Sequence, residues 1–241
     1  MPRKTFRVLC FGDSLTSGFF NDGLGSHPYA IKLRDRLTGT FPEVNFDIDV
    51  NGVPGDIVSS DRFYKRMNTA WRRKSYDWTI ILGAYDFPAE EIFKDLRKVY
   101  DFVLSREHKV LALTIPERHS KREKSTRARN EINKCILKNK DTGYHAFDLC
   151  SKIPYHSLSE EDRERYWDDG LHLQAEGYDW MGNHIADALI DILWSEGVFE
   201  QSTTKDSDAT GDEDGFFFDE EEGNPRKINE GYVVVRKKDL D

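Results

Sequence analysis

Two short stretches far apart in the chain carry side chains that can do nucleophilic chemistry together. Ser14 follows an apolar run, Phe6 to Phe11, and the turn residues Gly12-Asp13. Near the other end stands Asp169-Gly170-Leu171-His172. A serine hydroxyl is a weak nucleophile until a base takes its proton. Histidine suits that transfer near neutral pH, and a carboxylate three residues before it can share its loop. Such a carboxylate orients one imidazole nitrogen while the other faces the serine. Alone, Ser14 reads as a helix N-cap. With Asp169 and His172 it reads as the nucleophile of an ester-cleaving set. The oxyanion formed on attack needs donors, which the backbone N–H groups of a Gly-rich loop can supply.

Elements that would hold these residues follow from periodicity. Phe6 to Phe11 reads as a buried strand ending just before Ser14. Tyr29 to Leu37 has helical spacing, with Ile31, Leu33 and Leu37 apolar. Val44, Phe46, Ile48 and Val50 alternate as in a half-buried strand, closed by the loop Asn51-Gly52-Val53-Pro54-Gly55. Asp77 to Leu82 is a third strand. Pro88 opens a helix to about Leu104, with Ile92, Leu96, Val99 and Val103 on one face. Further expectations are a strand over Val110 to Ile115, a charged helix over Lys121 to Lys140 and a short strand over Ala146 to Leu149. A small helix starts at Ser159-x-x-Asp162, and a long one spans Ala175 to Trp194. Strands alternating with helices imply right-handed crossovers and a parallel sheet covered on both faces. Active sites of such sheets lie at the carboxyl ends of the strands, where the Gly-rich loops fall here.

The G-x-S-x-G elbow of the α/β-hydrolases is absent. Phe11-Gly-Asp-Ser-Leu-Thr-Ser-Gly instead resembles the first block of the SGNH, or GDSL-type, hydrolases, and Asp169-Gly-Leu-His-Leu resembles their last. The resemblance runs in order over about residues 5 to 195. It implies a flavodoxin-like three-layer α/β/α sandwich with about five parallel strands. It also implies esterase or lipase chemistry on a small-molecule ester, through Ser14, His172 and Asp169, with neither metal nor cofactor. Asp168 competes with Asp169, but the spacing of the family block selects Asp169 and leaves Asp168 a solvated neighbour. The second block resembles Asn51-Gly52-Val53-Pro54-Gly55-Asp56, making Gly55 an oxyanion donor, although Gly55 also reads as a plain turn residue. The third block departs. The family's Gly-x-Asn-Asp appears as Gly83-Ala84-Tyr85-Asp86, so Tyr85 stands where an asparagine amide would meet the oxyanion. A catalytically weak relative that binds a ligand or protein through the same cleft is the competing reading.

Composition sets the remaining bounds. The chain has 241 residues and a formal net charge of -9. Nine acids between Asp206 and Glu222 account for that excess, leaving a neutral body with no electrostatic case for nucleic acid or an anionic membrane. The expected organisation is an SGNH hydrolase domain over 1–200, an acidic disordered segment over 201–227, and a 228–241 segment able to form a returning strand. Phe216-Phe217-Phe218 inside the acidic stretch reads either as a sticky disordered triplet or as a docking motif for a protein partner. Cys10, Cys135 and Cys150 lack paired spacing and read as free thiols. The six other histidines show no metal-ligand spacing. No signal-peptide core and no membrane-length apolar run occurs, so a soluble cytoplasmic protein is expected.

Overall fold

The computed structural model describes residues 3–83 and 89–199. Tyr85, the acidic segment and the 228–241 segment lie outside them. Five parallel strands form the central sheet: β1 (Lys4–Gly12), β4 (Val44–Gly52), β5 (Trp78–Ile81), β6 (Lys109–Leu113) and β7 (Tyr144–Phe147). β2 (Phe19–Phe20) and β3 (Gly25–Ser26) form a separate antiparallel hairpin. The helices are α1 (Ser14–Ser17), α2 (Ala30–Thr40), α3 (Asp61–Arg73), α4 (Ala89–Leu104), α5 (Glu123–Lys138), α6 (Leu149–Lys152), α7 (Glu160–Tyr166) and α8 (Ala175–Ser195).

The sheet order is β4-β1-β5-β6-β7. β1 is central and pairs in register with β4, from Lys4 opposite Val44 to Gly12 opposite Gly52. Because strand side chains alternate between faces, β1 feeds two cores. Phe6, Val8 and Cys10 pack with Leu33 and Leu37 of α2 and Met181, Ile185 and Leu189 of α8. Leu9 and Phe11 pack on the other face with Phe63 and Met67 of α3, Leu96 of α4 and Ile132 of α5. The result is the three-layer α/β/α sandwich that the alternating pattern and the resemblance imply. The chain leaves β1 for β4 on one side and returns to β5 on the other. The carboxyl end of β1 is therefore the topological switch point, where open α/β sheets place their ligands.

Several elements differ from the sequence expectation. α3 had no counterpart there, nor did the hairpin or α6. The last strand covers Tyr144–Phe147 rather than 146–149, because the Asp141–Tyr144 turn delivers the chain straight into the sheet and Leu149 already starts α6. The small helix starts as its capping pattern foretells: the Ser159 hydroxyl accepts from the Asp162 N–H at 3.1 Å. Among the described residues no helix is long and apolar enough to cross a membrane.

Candidate active site

Ser14 is placed by the turn that ends β1. Asp13 caps α1, its buried carboxylate accepting the Leu15 N–H at 2.9 Å, so Ser14 is the first residue of the helix. The first N–H groups of a helix have no partner within it, and the Ser14 N–H is one of these. The neighbouring strand end presses closely on this turn. A Cβ at Gly52 would lie 2.2 Å from the Ser17 nitrogen and 2.7 Å from the Asp13 carbonyl. Only a residue without a side chain allows β4 to run beside the serine turn.

Asp169 and His172 arrive from the loop before α8. The Ser14 Oγ lies 2.9 Å from His172 Nε2, and His172 Nδ1 lies 2.8 Å from Asp169 Oδ2. Asp169 Oδ1 accepts the backbone N–H groups of Leu171 at 2.9 Å and His172 at 2.7 Å. Partial burial works against the Asp169 charge, but these hydrogen bonds and the imidazole outweigh it and hold the carboxyl below its usual range. Asp169 therefore stays an acceptor, which fixes the proton on Nδ1 and the lone pair on Nε2, facing the hydroxyl. Full burial acts the other way on Asp13, pushing its carboxyl up to about 6 against the lowering by its backbone hydrogen bonds and His172.

The Gly55 loop is a tight turn. The Asp56 N–H donates to the Val53 carbonyl at 3.1 Å, with Pro54 and Gly55 between them and Gly55 at φ 72°. Pro then Gly at positive φ is the pattern of a type II turn. A Cβ on Gly55 would meet nothing within 4 Å, so the glycine answers to φ and not to crowding. The loop is tied to the serine turn by the Val53 N–H, which donates to the Gly12 carbonyl at 3.2 Å.

Contacts that sequence reasoning missed frame the histidine. The Phe19 ring stands against His172, with centroids 4.8 Å apart. The Tyr178 hydroxyl donates to the Phe19 carbonyl at 2.7 Å and so ties the hairpin to α8. Asp168 is not a merely solvated neighbour. Its Oδ2 accepts the Asn21 N–H at 2.7 Å, its Oδ1 accepts from Gln174 at 3.3 Å, and its own N–H donates to the His172 carbonyl at 2.9 Å. It therefore latches the hairpin to the histidine loop. Behind that loop the His119 N–H donates to the Gly170 carbonyl at 2.7 Å.

A model of the GDSL-like lipase/acylhydrolase family matches residues 10–180, from the end of β1 into α8. The chain belongs to this family. Ser14, Gly55, Asp169 and His172 all fall within the match. Three solved structures show how widely the fold is shared. A carbohydrate acetylesterase family member from Sinorhizobium meliloti is 17% identical, with 78% of this chain and 99% of that one covered at a TM-score of 0.59. A lipase/acylhydrolase from Enterococcus faecalis is 19% identical, covering 78% and 96% at 0.57. A mutant of an acetyl-xylooligosaccharide esterase from Geobacillus Stearmophilus is 18% identical, covering 83% and 98% at 0.57. None of the curated proteins matches the chain. Membership of an acylhydrolase family supports the hydrolysis of ester bonds.

Proposed function

We propose that the protein is a serine hydrolase of acyl or acetyl esters that works through an acyl-enzyme on Ser14. The observation that carries this reading is the unbroken relay from Ser14 Oγ through His172 to Asp169, with contacts of 2.9 and 2.8 Å. His172 Nε2 takes the hydroxyl proton as Oγ attacks the ester carbonyl. The N–H groups of Ser14 and Gly55 receive the developing oxyanion. The intermediate collapses, and the leaving alkoxide takes the proton from His172 and departs as the alcohol. Water, deprotonated by the same imidazole, then attacks the acyl-enzyme and releases the acid. Asp169 stays ionised throughout and stabilises the imidazolium.

The competing reading is a catalytically weak relative that binds a ligand or partner in the same cleft. Tyr85 favours it, since the third block lacks the family's asparagine. A fluorophosphonate probe separates the two. Labelling that disappears in Ser14→Ala is the expected result. The base is tested with p-nitrophenyl acetate: His172→Ala should lose several orders of magnitude in kcat, as for a member of a catalytic unit. Unchanged hydrolysis by purified His172→Ala would sink the assignment.

A further inference from the structure

Arg66 comes from α3, which carries no residue of the relay. Its guanidinium nevertheless bonds to residues beside both proposed oxyanion donors, Ser14 and Gly55. Nε donates to Asp56 Oδ2 at 2.7 Å, one residue beyond Gly55. One terminal nitrogen donates to the Asn51 carbonyl at 2.9 Å and also to the Asn51 side-chain oxygen. The other donates to the Gly12 carbonyl at 2.8 Å, two residues before Ser14. A single planar group thus joins the end of β1, the end of β4 and the Gly55 turn.

The group is held in one plane. It lies 4.5 Å from the Phe11 ring centroid and 5.2 Å from that of Phe63. Its side chain is 14% exposed and that of Asp56 only 2%. The other Asp56 oxygen accepts the Ser60 hydroxyl at 2.8 Å, and Ser60 caps α3. The network therefore runs without a gap from the cap of α3 through Asp56 and Arg66 to the serine turn. A buried ion pair is weak evidence for stability, because well-packed apolar side chains often serve a fold as well. What a guanidinium supplies is fixed geometry across several acceptors, which lysine cannot reproduce.

We propose that Arg66 is a positioning residue of the ester-cleaving site: its guanidinium sets the Gly55 N–H relative to the Ser14 N–H. The inference rests on the proposed function and names a residue that aligns the two donors of its oxyanion hole. Donors act only when aimed where the charge develops, and small displacements there cost rate rather than ground-state binding.

The test uses the full chain with Arg66→Ala and Arg66→Lys. Hydrolysis of p-nitrophenyl acetate is measured per active site, counted by exhaustive fluorophosphonate labelling. The expected result is a fall in kcat of about a hundredfold in both variants, with KM within about threefold of the parent. Methylguanidinium should restore part of the Arg66→Ala loss. It can enter through the depression of about 520 Å3 that Arg66 borders with Asn51, Arg62 and Thr69. Sodium chloride at equal ionic strength should restore nothing. Unchanged kcat per site in either folded variant overturns the proposal, as does equal rescue by sodium chloride. If Arg66→Ala does not fold, Arg66→Lys decides. If neither folds, Arg66 serves the fold and the proposal fails. A parent chain no more active than Ser14→Ala would sink the proposed function itself and this inference with it. An active parent with active Arg66 variants would sink the inference alone.

Discussion

Tyr85 stands where the family's third block supplies an asparagine amide, and it lies outside the described residues. Without that amide the proposed hole has the Ser14 and Gly55 N–H groups. Loss of one such donor typically costs about 2.7–4 kcal/mol, or roughly a hundred- to a thousandfold in rate. The expected outcome is weak parent esterase activity that rises in Tyr85→Asn and is nearly unchanged in Tyr85→Phe. Abolished turnover in Tyr85→Phe would make the tyrosine hydroxyl itself the donor, a role it plays elsewhere. Asp13 gives a second expectation, on stability. Its carboxyl is raised by burial to about 6 in the folded chain, above its value of 3.8 in the unfolded one. The unfolded chain therefore loses this proton first as pH rises, and stability falls between about pH 4 and 6 and stays lower above that range. The shift corresponds to about 3 kcal/mol. Asparagine keeps the N-cap acceptor without the charge. In urea denaturation Asp13→Asn should be the more stable chain at pH 8, with the difference shrinking as pH falls toward 4. A pH-independent difference would refute the buried-charge account. At this scale the relay residues were legible, because a hydroxyl, an imidazole and a carboxylate at these spacings have few other joint uses. The parts of the site made by packing were not: Phe19 against His172, the Asp168 latch and Arg66 depend on which elements meet.

The sheet and its long helices could be read because each has a period that burial enforces. α8 and α4 present wide apolar faces, and the strands of the sheet have short buried runs. α3 escaped although its buried residues, Phe63, Met67 and Ala70, recur at four and three residues. Apart from Tyr64 and the core-packed Trp71, the rest of the helix is charged or polar, so its low overall hydrophobicity hid a stripe that is itself regular. Two-residue strands such as β2 and β3 have no period at all; Asp168 and Tyr178 hold them from outside. The same dependence on partners sets an expectation for α5. The Asn133 side chain accepts the Ile115 N–H at 2.8 Å and donates to the Ile115 carbonyl at 2.9 Å, just past β6. Asn133 is 8% exposed, so Asn133→Leu would leave both backbone groups buried and unpaired. Each such group costs about 1–3 kcal/mol. A stability loss of at least about 2 kcal/mol is expected from urea denaturation, and a loss below about 0.5 kcal/mol would show that water replaces the amide.

Over the whole molecule, charge and core part company along the chain. The last described residue, Phe199, is buried and closes the α2–α8 core. Its ring lies 5.3 Å from Phe6, 4.8 Å from Phe41 and 6.1 Å from Phe46. The nine acids of residues 206–222 come only after it, together with Gly, Ser and Thr and few core-forming side chains. A composition of this kind offers little apolar area to set against the entropy of ordering. We therefore propose that the hydrolase domain spans 1–200 and expect a chain ended at Glu200 to fold alone. Its unfolding free energy should agree with that of the full chain within about 0.5 kcal/mol, as for changes remote from the core. Its kcat on p-nitrophenyl acetate should be unchanged. Amide exchange over 201–227 in the full chain should proceed without protection. A large stability loss on truncation would mean that the 228–241 segment, with Tyr232-Val233-Val234-Val235, contributes to the fold. Lost turnover with stability intact would instead place part of the tail, with Phe216-Phe217-Phe218 the first candidate, in the working site.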